Sequence, residues 1–111
     1  MVDDEPSIRF LCRVNLELEG FRVLEASSLD EARSALANGA PALVLLDLQV
    51  GGESGWELLD EIRSEHAGLP VVLLTGSASV DGADRARADA VLPKPFSLDQ
   101  LVSTVHGFAS I

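Results

Sequence analysis

The sequence predicts an α/β fold, a single doubly wound parallel sheet with helices on both faces, and three observations predict it. Two short runs, ALVLLDL at 42–48 and PVVLLT at 70–75, are almost continuously apolar, as strands buried on both faces are. Around them apolar residues recur at helical spacing, with Ser, Asn and Gly at the boundaries. The two patterns alternate along the whole chain, which lays strands parallel and packs the connecting helices on both faces. At 111 residues, 47% hydrophobic and 23% charged, residues 1–111 make one domain with a core of its own.

Taken in order, Met1-Val2 end a first strand, and Asp3-Asp4-Glu5 follow it. A central strand normally needs about five residues, so this one is expected to be truncated at its N-terminal side. Ile8, Leu11, Val14 and Leu18 form the stripe of a helix over 7–19, stopped by Gly20. Residues 21–26 read as a short strand. Ser28 caps a helix through Ala32, Ala35 and Leu36 that Asn38-Gly39 closes. After the strand at 42–48 comes a glycine-rich loop. Trp56, Leu58, Leu59 and Ile62 then mark a third helix ending near His66-Ala67-Gly68. Beyond the strand at 70–75, residues 79–88 predict a weak helix with Gly82 inside it. Residues 89–92 make a short strand, and Ser97 opens a last helix through Phe108.

The formal net charge is −10 and the pI near 4.4. Such a surface repels nucleic acid and anionic membranes, so this chain is expected to touch neither directly. No apolar run approaches the roughly 20 residues that span a bilayer, and a cytoplasmic location is the default expectation. Cys12 is the only cysteine. It can form no internal disulfide and no thiolate cluster, and it reads as a small buried hydrophobe.

In an open parallel sheet, function gathers outside the carboxyl ends of the strands. Here those ends carry Asp3 and Asp4, Asp47, Thr75, and Lys94 between two prolines. Crowded carboxylates repel one another unless a cation lies among them. Magnesium takes such oxygen ligands and also accepts phosphate oxygens, and the backbone carbonyl of Gln49 is placed to join Asp3, Asp4 and Asp47 around it. A carboxylate beside a metal can attack phosphorus and become an acyl phosphate. Thr75 and Lys94 would hold the incoming phosphoryl oxygens. His66, His106 and Trp56 have no ligand set around them in the sequence and read as surface or packing residues. Asp81, Asp84 and Asp89 read as surface charge.

VDDEP at 2–6, LLDL at 45–48, LLTG at 73–76 and LPKPF at 92–96 together resemble the receiver domain of bacterial two-component response regulators. The likeness runs in order over nearly the whole chain. It implies five strands in the flavodoxin-like order 2-1-3-4-5. It makes Asp47 the phosphoacceptor, Asp3 and Asp4 the acidic pair of a Mg2+ site, Thr75 the switch hydroxyl and Lys94 the phosphate-binding lysine. It implies a cis bond at Lys94-Pro95. The phosphoryl donor it implies is a sensor histidine kinase or a histidine phosphotransfer protein, and the chain itself is a monomer or weak homodimer that catalyses at most its own phosphorylation and dephosphorylation. Two features depart from the pattern: Val91 stands where receivers carry a switch aromatic, and the stretch from Thr75 to Lys94 is about one helical turn short. The alternative reading is a degenerate receiver that only binds partners. A phosphatase of the haloacid dehalogenase type needs a second aspartate two residues after the first, where this chain has Gln49. A flavodoxin-like cofactor binder needs a Ser/Thr/Gly-rich loop after the first strand, and none follows Val2.

Overall fold

A computed structural model describes residues 1–76 and 87–109. Its helices are α1 (Pro6–Leu18), α2 (Leu29–Gly39), α3 (Gly55–Glu65) and α4 (Leu98–Phe108), and its strands are β1 (Val44–Asp47), β2 (Gln49–Val50), β3 (Glu53–Ser54), β4 (Val71–Thr75) and β5 (Ala90–Pro93). β1, β4 and β5 lie parallel in that order, with Asp47 opposite Leu74 and Thr75 opposite Pro93. Val2 adds parallel bridges to Ala26 on one side and Leu46 on the other. Across the sheet the order is therefore 26, 2, β1, β4, β5, which is the expected 2-1-3-4-5.

The local chemistry accounts for the helix ends. Gly20, at φ 93°, takes the chain out of α1, a conformation that costs glycine nothing. The Ser28 hydroxyl accepts the Glu31 amide at 3.1 Å. Ser97 and Gln100 cap each other reciprocally at the start of α4, satisfying two amides that the helix leaves without partners. α2 runs through Gly39, and the left-handed residue beyond it is Ala40, at φ 42°, where a glycine would be less strained.

Alternation along the strands divides the core in two. Val44, Leu46, Val71 and Leu73 face α2 and α3, meeting Leu29, Ala32, Leu58, Leu59 and Ile62. Leu45, Val72 and Leu74 face α1 and α4, meeting Cys12, Leu16, Leu101 and Val105. Both faces of the sheet are thus covered, which is why the strands read as unbroken apolar runs. Leu46, Leu73 and Leu74 are wholly buried, and truncating any of them to alanine would cost about 2–5 kcal/mol. Cys12 is 1% exposed, as expected of a buried hydrophobe. Burial, and next the negative charge of Asp3, push its thiol up to about 11.

The structure corrects three expectations of secondary structure. The strand expected over 21–26 is reduced to a bridge between Ala26 and Val2. A small antiparallel hairpin, β2–β3, occupies what read as a loop, with Gly51 and Gly52 supplying the positive φ angles of its turn. The last short strand begins at Ala90 rather than Asp89. The helix expected over 79–88 falls almost entirely outside the described residues.

Candidate functional site

Asp47 is the last residue of β1, and its side chain is 13% exposed. One carboxylate oxygen, Oδ1, accepts the backbone N–H of Gln49 at 3.2 Å; the other, Oδ2, accepts the Lys94 ammonium at 3.1 Å. Lys94 also donates to Asp3 Oδ2 at 2.8 Å. Asp3 is wholly buried, and its remaining oxygen accepts the Glu5 amide at 2.9 Å. Asp4 lies exposed at the rim and accepts the Gly51 amide at 3.0 Å. Carboxylate oxygens of Asp3, Asp4 and Asp47 come within 4.8 Å of one another.

Backbone geometry holds Lys94 in this position. Its amide donates to the Thr75 carbonyl at 2.6 Å, tying it to the end of β4, and the Lys94–Pro95 peptide bond is cis, as expected. Thr75 is itself 4% exposed. On the other side of Asp47, the first residue of α3 packs directly on the strand end. A Cβ on Gly55 would lie 2.2 Å from the Asp47 carbonyl oxygen, and the Gly55 amide donates to the Leu48 carbonyl at 2.7 Å. Only glycine lets helix and strand approach so closely.

Electrostatics follow from this arrangement. Burial pushes the Asp47 carboxyl above its ordinary value; the Gln49 amide and Lys94 pull it back, and Asp3 adds repulsion. Burial alone would lower Lys94, but its hydrogen bonds to Asp3 and Asp47 outweigh that and hold the ammonium above its ordinary value. Among the described residues, three carboxylates against one ammonium leave the cluster two negative charges from neutrality. An all-oxygen, partly exposed cluster with that deficit suits a hard divalent cation. The residues present fit Mg2+.

Other expectations sort themselves by contact. The indole of Trp56 is half-buried against the α2–α3 side of the core, with the Arg87 guanidinium 4.6 Å from its ring centroid, so it packs. His106 pairs with Glu19 at 3.2 Å and lies against the Phe21 ring. His66 closes α3. Val91 packs on the α2–α3 side. Asp89 is more than surface charge. Its carboxylate accepts both the Arg63 guanidinium, at 2.8 Å, and the Val71 amide, at 2.7 Å, joining α3 to the start of β4. Although its burial works the other way, those bonds hold its carboxyl below the ordinary value. Asp81 and Asp84 lie outside the described residues. Sequence reasoning missed Gly55 and the Gly51 amide on Asp4; the signal available was the cluster of three glycines in GGESG.

Comparison with known proteins agrees with this fold. The family model described as the response regulator receiver domain matches residues 1–106. The probable transcriptional regulatory protein TcrX of Mycobacterium tuberculosis is 36% identical over 107 residues, which are 92% of this chain and 45% of that protein. The nitrogen assimilation regulatory protein NtrX of Azorhizobium caulinodans is 38% identical, over 92% of this chain and 24% of its own length. The chain thus spans from about a quarter to just under half of these relatives. Among solved structures, the receiver domain of NtrX from Brucella abortus superposes with a TM-score of 0.88 at 36% identity, covering 96% of this chain and 92% of that one. The response regulator TrrA of Thermotoga maritima, solved in complex with Mg(2+)-BeF, gives 0.88 at 33% identity, covering 97% and 95%. The chain belongs to the response regulator receiver domain family.

Proposed function

We propose that Asp47 accepts a phosphoryl group from a phosphohistidine on a sensor histidine kinase or a histidine phosphotransfer protein. The observation that carries this reading is the Lys94 ammonium resting on Asp47 Oδ2 and Asp3 Oδ2 together, a positive charge already held where phosphoryl oxygens would arrive. Asp4, the Asp47 carboxylate and the Gln49 carbonyl would hold Mg2+, with Asp3 beside them, and the metal would offset charge on the transferring group.

An Asp47 carboxylate oxygen attacks phosphorus as the bond from phosphorus to the donor imidazole nitrogen breaks, and the electron pair of that bond stays on the nitrogen. Lys94 follows the negative charge onto a phosphoryl oxygen, and the Thr75 hydroxyl donates to another. Attack of water on the same phosphorus later restores the carboxylate. The intact set of Asp47, Thr75 and Lys94 favours this cycle over a module that only binds partners. A net charge of −10 over residues 1–111 disfavours direct contact of this domain with nucleic acid. Among the described residues, no helix is long and apolar enough to cross a membrane.

The test is incubation with a small-molecule phosphodonor and Mg2+, followed by intact mass. One phosphoryl group should be gained, and none in Asp47→Asn or in the presence of a chelator. Equal labelling of wild type and Asp47→Asn would overturn the assignment.

A further inference from the structure

Asp3 is wholly buried, so its polar atoms must find partners inside the protein. Its amide donates to the Ala26 carbonyl at 3.1 Å, and its carboxylate accepts the Lys94 ammonium and the Glu5 amide. In a parallel ladder the next rung would bring the Ser28 amide to the Asp3 carbonyl. There the chain turns away into α2, with Ser28 as its N-cap. The Asp3 carbonyl accepts a side chain instead, Arg9 Nη1, at 2.6 Å.

Arg9 lies in the first turns of α1, and its side chain is 17% exposed. While Nη1 holds the Asp3 carbonyl, Nε stands 3.4 Å from Glu25 Oε1. The other Glu25 oxygen accepts Arg13 Nη1 at 3.0 Å, which turns Oε1 toward Arg9. One rigid guanidinium thus grips the end of the strand segment at Asp3 and the residue before its bridging neighbour Ala26. A lysine ammonium has no such fork.

The Asp3 carbonyl and the Asp4 amide belong to one planar peptide unit. A grip on that carbonyl sets the rotation of the unit, and hence the direction in which Asp4 leaves the backbone. Asp4 depends on this more than its neighbours do. Asp3 and Asp47 are fixed by burial and by Lys94, whereas the Asp4 carboxylate is exposed at the rim, on the Gly51 amide at 3.0 Å.

We propose that Arg9 is a positioning residue for the acidic site, aiming Asp4 at the cation through the Asp3–Asp4 peptide. The proposal rests on the reading of Asp4 as a Mg2+ ligand given above. Arg9 itself touches neither metal nor phosphoryl group. Groups that orient metal ligands typically contribute about 10–100-fold to affinity. Charge and position predict opposite signs. Removing a cation from the neighbourhood of three carboxylates would, by charge alone, tighten Mg2+ binding. Loosening Asp4 weakens it.

The experiment titrates Mg2+ into wild type, Arg9→Met and Arg9→Lys by calorimetry, at a temperature where melts show each protein folded. Arg9→Met should bind about tenfold more weakly. Arg9→Lys keeps the charge and loses the fork, and it should bind more weakly too. Equal or tighter binding by Arg9→Met overturns the proposal, and wild-type affinity in Arg9→Lys overturns the two-pronged grip. Without metal, the Gly51 amide proton resonance reports the Asp4 contact. In Arg9→Met it should move toward its position in Asp4→Ala; a resonance unmoved in Arg9→Met overturns the positioning. If wild type itself binds no Mg2+, the metal site of the proposed function falls, and the Gly51 resonance alone decides the role of Arg9.

Discussion

Replacing Lys94 by methionine keeps most of the side chain's bulk and removes its charge. Two hydrogen bonds to carboxylates go with it, at 2.8 Å to a wholly buried Asp3 and 3.1 Å to Asp47. Removing one partner of a buried ion pair costs about 3–5 kcal/mol, because the other charge is left unpaired. Lys94 keeps 19% side-chain exposure, so the lower end applies, about 3 kcal/mol. For a domain of this size that is a fall of about 12 °C in melting temperature, at roughly 4 °C per kcal/mol. The pH dependence has a definite sign. The ammonium has a higher pKa folded than unfolded, so its stabilisation is full below the ordinary value of 10.5 and is lost as pH rises through the higher folded value. Wild type and Lys94→Met should therefore converge only in strong alkali. The loss also widens the charge deficit of the cluster from two to three, so Mg2+ should raise the melting temperature of the variant more than that of wild type. Thermal melts with and without millimolar Mg2+ read all of this. A metal-free loss below about 1 kcal/mol is what an exposed surface pair gives, and it would refute the buried clamp; an equal Mg2+ shift in both proteins would refute a metal site shared with Lys94.

Three further outcomes are expected. Gly55→Ala should destabilise by about 2–3 kcal/mol in urea unfolding, since the new methyl meets the Asp47 carbonyl at 2.2 Å; a change under 0.5 kcal/mol, the usual scale at an ordinary surface position, would mean that α3 does not press on the strand end. Asp89→Asn should be less stable than wild type at neutral pH, with the gap closing as acid takes the pH below 3.8 and through the lower folded value of Asp89; a gap independent of pH would show that its charge is not what matters. Phosphorylation should shift the amide resonances of Asp47, Thr75 and Lys94 far more than that of Val91, because a short side chain stiff at its first torsion cannot swing as an aromatic would. Shifts at Val91 as large as those at Thr75 would show that the switch works without the aromatic.

What the sequence made legible is what one residue can announce. Asp47, Thr75 and Lys94 could be placed because each interrupts or ends an apolar run, and a polar side chain at such a point has few physical excuses. The sheet order across its middle was legible for the same reason: strands buried on both faces show no alternation and stand out. Illegible were the features that need two distant segments at once. Residues 21–26 have strand composition, but a strand is defined by its pairing with a neighbour, and here that pairing is a bridge between Ala26 and Val2. β2 and β3 are two residues each, too short to carry any period. Asp89 looked like solvated charge because its partner Arg63 lies 26 positions away, and Gly55 looked like loop because the atom it must admit belongs to Asp47.

The cost of a carboxylate at a buried strand end also becomes intelligible from these contacts. Asp47 is not made comfortable: burial and Asp3 both disfavour its charge, and Lys94 offsets them only in part. A fully neutralised aspartate, held by two or three amides and an arginine, would be a stable and unreactive structural residue, much as Asp89 is here with Arg63 and Val71. Among the described residues, Asp47 has one amide, one shared ammonium and a like charge beside it. The two aspartates thus mark opposite uses of the same side chain in one sheet. Asp89 is satisfied and joins α3 to β4, while Asp47 is left short of positive charge, the condition under which a divalent cation and a phosphoryl group both have something to gain by arriving.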